Sequence, residues 1–459
     1  MILLQNDTIC ALSTAAGKSA IALIRVTGPD SFAITERIFS KSLHDKKSHT
    51  AHFGKLHSEG RWLDDVVVTV FHGPHSFTGE DTAEIACHGS AYIQQEIIQA
   101  LLAAGCRLAQ PGEFSFRAFA NGKVDLTQAE AIADLIDADS RGAHQLALSQ
   151  MKGGFSKEIG RLREKLIDFA ALIELELDFA EEDVEFADRS ALQHLLDENT
   201  LIIGRLVQSF SLGNAIKNGV PVAIVGAPNA GKSTLLNSLL NEERAIVSEI
   251  AGTTRDAIED DLYIGSLRFR FIDTAGIRST TDTIENLGIE KTFEKASQAR
   301  IILYLVDSTD HRAVEQIEQN LSEIRALPLQ PTCDLIVVWN KVDSAQTHTQ
   351  RPTLNIPQVN ISAKTGQGME DLKHRLIKCM EDSNAEAHQV VVTNIRHLEA
   401  LQRALEHLLA VQRGLQQGIT GDFLALDIRQ ALHHLGSITG EINNEHLLDS
   451  IFTRFCIGK

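Results

Sequence analysis

The nine residues GAPNAGKST at 226–234 satisfy the pattern GxxxxGK[ST]. Small and flexible residues in such a run let the backbone curl until successive N–H groups face one point, and that point attracts phosphate. Lys232 then reaches the β- and γ-phosphate oxygens and Ser233 a Mg²⁺ ion, while Asn229, Ala230, Gly231 and Thr234 complete the loop. DTAG at 273–276 (Asp273, Thr274, Ala275, Gly276) follows the apolar run LRFRFI, which puts Asp273 near the metal and Gly276 near the γ-phosphate. NKVD supplies Asn340, Lys341 and Asp343. The Asp343 carboxylate can accept two hydrogen bonds from guanine N1 and N2, which adenine cannot offer, and the Lys341 stem can lie along the base. SAK (Ser362, Ala363, Lys364) adds a backbone N–H for guanine O6. In this order the four motifs specify GTP. A similar AAGKS at 15–19 lacks the first glycine, Leu12 standing in its place, and reads as a turn.

Hydrolysis needs a positioned water. Many GTPases supply a Gln directly after the DTAG glycine, but position 277 here is Ile. The segment AIVSEIAGTTRD at 245–256 offers another device. Thr254 can join Ser233 around Mg²⁺, and carbonyls near Ser248 and Ile250, with Thr253 and Asn229, can hold K⁺ against the phosphates. That ion would bring the charge an arginine finger gives elsewhere. The plainer reading makes Asn229 a loop filler.

These motifs need a scaffold. VPVAIVG, LRFRFID, RIILYLVD and DLIVVWNKVD alternate with helical stretches, which predicts a parallel sheet with helices on both faces. No proline occurs between Gly112 and Val220 or from Gln358 onward, and both tracts show Leu and Ile at spacings of three and four. They read as bundle helices flanking an inserted domain. The expected fold is thus multidomain α/β and α. It comprises an α+β domain at 1–118, a helical domain at 119–214 and 381–459, and an inserted P-loop GTPase domain at 215–380. A chain of 459 residues with 43% hydrophobic content is long enough for about three cores. A net charge of −18 disfavours non-specific nucleic-acid binding, so an RNA ligand would have to meet a local basic patch. The six cysteines form no CxxC pair, and five read as small buried residues. Apolar runs such as IILYLV are too short to span a bilayer, and the expected location is cytoplasmic, without membrane attachment.

The sixth cysteine lies in the closing CIGK. One reading is a prenyl anchor, against which stand Gly458 and a final Lys459. Another comes from likeness. GAPNAGKST, AIVSEIAGTTRD, DTAGIR, IENLGIEK, the flanking helical tracts and CIGK together resemble the MnmE (TrmE) family of tRNA-modification GTPases along the whole chain. The resemblance implies GTP-dependent conversion of a wobble uridine to a 5-carboxymethylaminomethyl or aminomethyl form, with an FAD-dependent MnmG partner and a one-carbon unit from 5-formyl- or 5,10-methylene-tetrahydrofolate. It implies folate contacts at Arg25, Glu84, Lys123 and Lys459, a water-positioning Glu285, and Cys456 as nucleophile, positioning group or packing residue. A homodimer, and a heterotetramer with the partner, are implied as well. The stretch before Arg25, STAAGKSAIALIR, departs from the family's Pro- and Gly-rich pattern. The competing class is a ribosome-assembly or RNA-binding K⁺-type GTPase switch, which accounts for residues 215–380 but not for the N-terminal set or CIGK.

Overall fold

In the computed structural model the described residues are 7–178, 189–247, 260–272, 299–310, 316–326, 333–344, 354–382, 391–417, 419, 421–442, 445–453, 455 and 458. The chain forms two compact units, one of Met1–Ile136, Gln150–Leu192 and Ala410–Lys459, the other of Asp137–Ser149 and Gln193–Leu409.

The first unit is built on six strands, of which the longer ones largely alternate between buried and more exposed residues while Ile9, Cys10 and Ala11 are buried in succession. The strands are β1 (Ile9–Leu12), β2 (Ile21–Thr27), β3 (Thr50–Ser58), β4 (Arg61–Phe71), β5 (Thr82–His88) and β6 (Arg107–Leu108), in sheet order β3-β4-β5-β2-β1-β6. The pairs are antiparallel except β1 with β6. Val66, Val68 and Val70 of β4 share one buried face with Ala22, Ile24 and Val26 of β2. Helices α1 (Ser31–Ile38) and α2 (Ala91–Ala103) cover that face through Phe32, Ile34, Ile97 and Leu101. Beside the other face of β1, Ile9 and Ala11 pack with Phe114 of α3 (Glu113–Ala120). The first proline-free tract continues as α4 (Leu126–Asp137), α5 (Arg141–Met151), α6 (Gly154–Asp178) and α7 (Arg189–Asn218).

The second unit holds β7 (Val220–Gly226), β8 (Asp260–Ile264), β9 (Leu267–Phe271), β10 (Ile301–Asp307), β11 (Asp334–Asn340) and β12 (Gln358–Asn360), in order β12-β11-β10-β7-β9-β8. All pairs are parallel except the β8–β9 hairpin. Strands buried on both faces read as continuous apolar runs, and β10 is buried from Ile301 to Val306. On one face lie Leu235, Leu236 and Leu239 of α8 (Lys232–Val247) with Leu372 and Leu376 of α10 (Met369–Asp382). On the other lie Ile317, Leu321 and Ile324 of α9 (Ile317–Arg325).

The last helices are α11 (Ile395–Gln416), α12 (Gly421–Thr439) and α13 (Glu445–Phe452). The closing tract bends at Gly440, where φ is +85° and a Cβ would lie 2.9 Å from the Phe119 ring. The turn lets α13 bring Phe452 edge-on to Phe116, ring centroids 5.4 Å apart. Among the described residues no helix is long and apolar enough to cross a membrane.

Candidate functional site

β7, an interior strand between β10 and β9, delivers the phosphate-loop motif to the carboxyl end of the sheet. A Cβ at Gly226 would come within 2.4 Å of the Leu305 carbonyl oxygen, so only glycine lets the strand leave here. Asn229 (φ +62°) and Gly231 (φ +97°) then take left-handed conformations before α8 starts at Lys232. A non-glycine residue in that region is strained, and such strain gathers at ligand sites. Lys232 Nζ donates to the carbonyls of Gly226 (2.7 Å) and Ala227 (3.1 Å), lying over the mouth of the loop.

NKVD and SAK close the site from the far side. Asn340, 2% exposed at the end of β11, donates from Nδ2 to Ala230 O (2.8 Å) and accepts at Oδ1 from Ala363 N (3.0 Å). One amide thereby ties the GAPNAGKST loop to the SAK loop. Lys341, itself left-handed at φ +61°, donates to Asn229 O (2.9 Å) and pairs with Asp307 Oδ2 (2.6 Å). Burial raises the Asp307 carboxyl, but the hydrogen bonds from Lys341 and Thr309 outweigh it and hold the group below its usual range. The hydroxyls of Ser362 and Ser344 hold the Asp343 carboxyl low as well, keeping it a charged acceptor. Ser233 and Thr234 open α8, and Lys364 is exposed beside Ala363. A loop with left-handed residues at Asn229 and Gly231, leading into the N-terminus of α8, fits a bound nucleotide phosphate. Ser248, Ile250, Thr253, Thr254, Asp273, Thr274, Ala275, Gly276 and Glu285 lie outside the described residues.

The first unit brings together a second set. Arg25 of β2 and Glu84 of β5 are direct cross-strand partners, and Arg25 Nε and Nη2 reach Glu84 Oε1 at 2.9 and 2.8 Å. The Phe77 and Phe114 ring centroids lie 5.0 and 5.5 Å from the Arg25 guanidinium carbon. Lys123 Nζ donates to Pro74 O at 2.7 Å, in the same loop that carries Phe77. A carboxylate beside a guanidinium suits a ring edge that offers both donors and acceptors. Cys456 and Lys459 lie outside the described residues. Cys10, Cys87, Cys106 and Cys379 are buried thiols and Cys333 is half-buried.

Two features escape motif reading. Asp307 has no signature beyond ending a strand. The other is a buried ionic cluster: Arg117 (side chain 3% exposed) meets Asp7, Glu80 and Glu113, and Arg107 bridges Asp7 and Glu113. The Glu113/Arg117 and Arg107/Glu113 pairs, four and six residues apart, are local; Asp7 and Glu80 come from far along the chain.

A sheet wound on both faces, with a phosphate loop stapled to NKVD and SAK by Asn340 and Lys341, defines a P-loop GTPase domain within a multidomain α/β and α chain. Residues 8–123 match the family model described as the GTP-binding protein TrmE N-terminus, and residues 126–456 that of the MnmE helical domain. The tRNA modification GTPase MnmE of Flavobacterium psychrophilum is 52% identical over 465 residues, covering 100% of both chains. That of Bacteroides fragilis strain YCH46 is 53% identical, covering 99% of this chain and 100% of its own. That of Cytophaga hutchinsonii is 53% identical, covering 99% and 98%. The chain belongs to the MnmE (TrmE) family of tRNA modification GTPases, and is itself a GTPase.

Proposed function

We propose that this chain couples K⁺-stimulated GTP hydrolysis to modification of C5 of a wobble uridine in tRNA, with a tetrahydrofolate one-carbon unit and an FAD-dependent partner of the MnmG type. Ser233 and Thr254 would hold Mg²⁺, which offsets the phosphate charge. Asn229, Ser248, Ile250 and Thr253 would hold K⁺. Glu285 replaces the glutamine that Ile277 displaces and positions water. Glu285→Ala should leave GTP binding intact and cripple turnover; stopped-flow nucleotide binding beside phosphate release checks it, and unimpaired turnover removes Glu285 from the mechanism.

The observation that carries the proposal beyond GTP hydrolysis is the Arg25–Glu84 pair on the first sheet. Glu84 can accept from pterin N–H donors, while Lys123 and Lys459 can meet the folate's glutamate carboxylates. Cys456 would attack or position the reacting uridine. The chain would work in the cytoplasm as a homodimer, and with the partner as a heterotetramer. Its parts would be the folate-binding domain at 1–118, the helical domain at 119–214 and 381–459, and the G domain at 215–380.

Mass spectrometry of tRNA nucleosides from a strain lacking the protein, complemented with wild type or Cys456→Ser, tests this reading. Loss of 5-aminomethyl-type wobble uridines in the deletion, restored only by wild type, is expected. An unchanged nucleoside profile in the deletion overturns the tRNA reading.

A further inference from the structure

Arg25 is held from more sides than its carboxylate partner. Phe114, on one side of the guanidinium, is fully buried, whereas Phe77 keeps 37% of its surface exposed in loop 72–81. Both Arg25 nitrogens that reach Glu84 go to the same oxygen, Oε1. Among the described residues Glu84 Oε2 takes no hydrogen bond from Arg25, which leaves an acceptor beside the guanidinium. A donor next to an acceptor is the complement of a ring edge such as that of a 2-amino-4-oxopyrimidine, the head of a pterin.

The loop that carries Phe77 is fixed by the protein itself. Thr78, 0% exposed, meets Thr27 through their hydroxyls at 2.7 Å, and Thr27 meets Thr82 at 2.8 Å. Asn121 Nδ2 donates to Thr78 O at 2.8 Å, and Ser76 Oγ to Glu80 O at 2.5 Å. The buried Arg117 reaches Glu80 Oε2 at 3.2 Å. With both its chain neighbours tied down, the Phe77 ring has its place before any ligand arrives. An arginine already held against an aromatic face has less rotamer freedom to lose on binding, and the ring quadrupole favours the cation there.

We infer that Phe77 is a positioning residue of the candidate folate site, acting through Arg25 to hold the Arg25–Glu84 edge in its binding geometry. The inference rests on the folate reading of Arg25 and Glu84. Leucine keeps apolar volume at this position without a quadrupole, and tyrosine keeps the ring.

The experiment is equilibrium dialysis of the full chain with 5-formyltetrahydrofolate, with thermal unfolding as the control for folding. Phe77→Leu is expected to weaken binding about five- to twentyfold, the range of a partly desolvated cation–π contact, and Phe77→Tyr to stay within about twofold of wild type. Phe77→Met replaces the leucine variant if that one does not fold. Arg25→Gln supplies the second arm, because an amide lacks the cation that the ring holds. In the Arg25→Gln background Phe77→Leu is expected to cost less than about twofold, since a positioning effect vanishes with the group it positions. Independent, multiplying losses overturn the inference and make Phe77 a direct contact or a loop support. Equal affinity of wild type and Phe77→Leu overturns it too, while leaving the folate reading intact. A wild-type chain that binds no 5-formyltetrahydrofolate removes that reading and the inference together.

Discussion

Asp343 would select the base, and Lys341, which donates to Asn229 O, would hold the loop against which the base lies. Guanine offers N1–H and N2–H₂ to one carboxylate, whose charge the Ser362 and Ser344 hydroxyls favour. An amide at this position can still accept at its oxygen but presents a donor where the guanine amino group stands. Asp343→Asn should therefore weaken GTP by at least about a hundredfold, given about 1.5–3 kcal/mol for each hydrogen bond to a charged group. The same variant should gain affinity for xanthosine triphosphate, whose 2-oxo group accepts from the new amide. Competition with a fluorescent GTP analogue measures both, and retained GTP preference would exclude Asp343 from base recognition. The motifs announced Asn340, Lys341 and Asp343 by type and spacing. They did not announce Asp307, because an ion pair across two loops has no local signature.

At the scale of elements, the phosphate loop depends on a backbone that side chains would obstruct. Gly231→Ala adds a Cβ 2.3 Å from Asn340 Nδ2 at φ +97°, so the loop must shift or the Asn340–Ala230 hydrogen bond must break. The expected result is a loss of GTP affinity of at least about tenfold, the equivalent of one hydrogen bond and some strain, read by isothermal titration calorimetry. Undiminished affinity would show that the two loops move independently.

The buried ionic cluster makes a different demand on its elements. Arg117→Met leaves Glu113, 1% exposed, and its fellow carboxylates short of a cation. Removing one member of such a buried pair costs about 3–5 kcal/mol, which should appear as a marked fall in the thermal midpoint. Acid should attack the same unit. Burial raises the carboxyls of Asp7 and Glu113, but hydrogen bonds from Arg107 and Arg117 on Asp7, and from Arg107 on Glu113, leave both below their usual range. Burial likewise raises Glu36, and the N–H groups of Leu43 and His44 outweigh it to bring the group to about 2. Carboxyls depressed in the folded state stabilise fully above their unfolded values, 3.8 for Asp and 4.5 for Glu, and lose that stability as pH falls through the folded values. Circular dichroism should show Glu36→Gln changing the part of the acid transition between 4.5 and about 2. An unchanged acid curve would leave Glu36 with no part in it.

For the whole molecule, hydrolysis must be made up for elsewhere, since Ile277 cannot orient water. If K⁺ supplies charge at the phosphates through Asn229 and the 248–253 segment, it would also favour pairing of two G domains, a closure that could couple hydrolysis to tRNA chemistry. Replacing K⁺ by Na⁺ at equal ionic strength should then lower both GTP turnover and G-domain self-association. Turnover assays beside analytical ultracentrifugation decide it, and unchanged values in both would refute the K⁺ role. A net charge of −18 also confines tRNA binding to local cationic surface, because a chain this acidic repels phosphate elsewhere.

Sequence alone determined what periodicity and local chemistry can carry. The continuous apolar run of β10 is a strand buried on both faces, the Leu and Ile spacing of α6 is a helix, and the Gly and Lys pattern at 226–234 is a phosphate loop. Each of those signals lies within a few residues, where dihedral preference and side-chain direction act directly. Tertiary structure alone decided which distant residues meet. Strand register set Arg25 opposite Glu84, the turn at Gly440 brought Phe452 to Phe116, and packing buried Arg117 among three carboxylates. Such contacts depend on the relative placement of whole elements, set by the packing of their apolar faces and not by the spacing of residues along the chain.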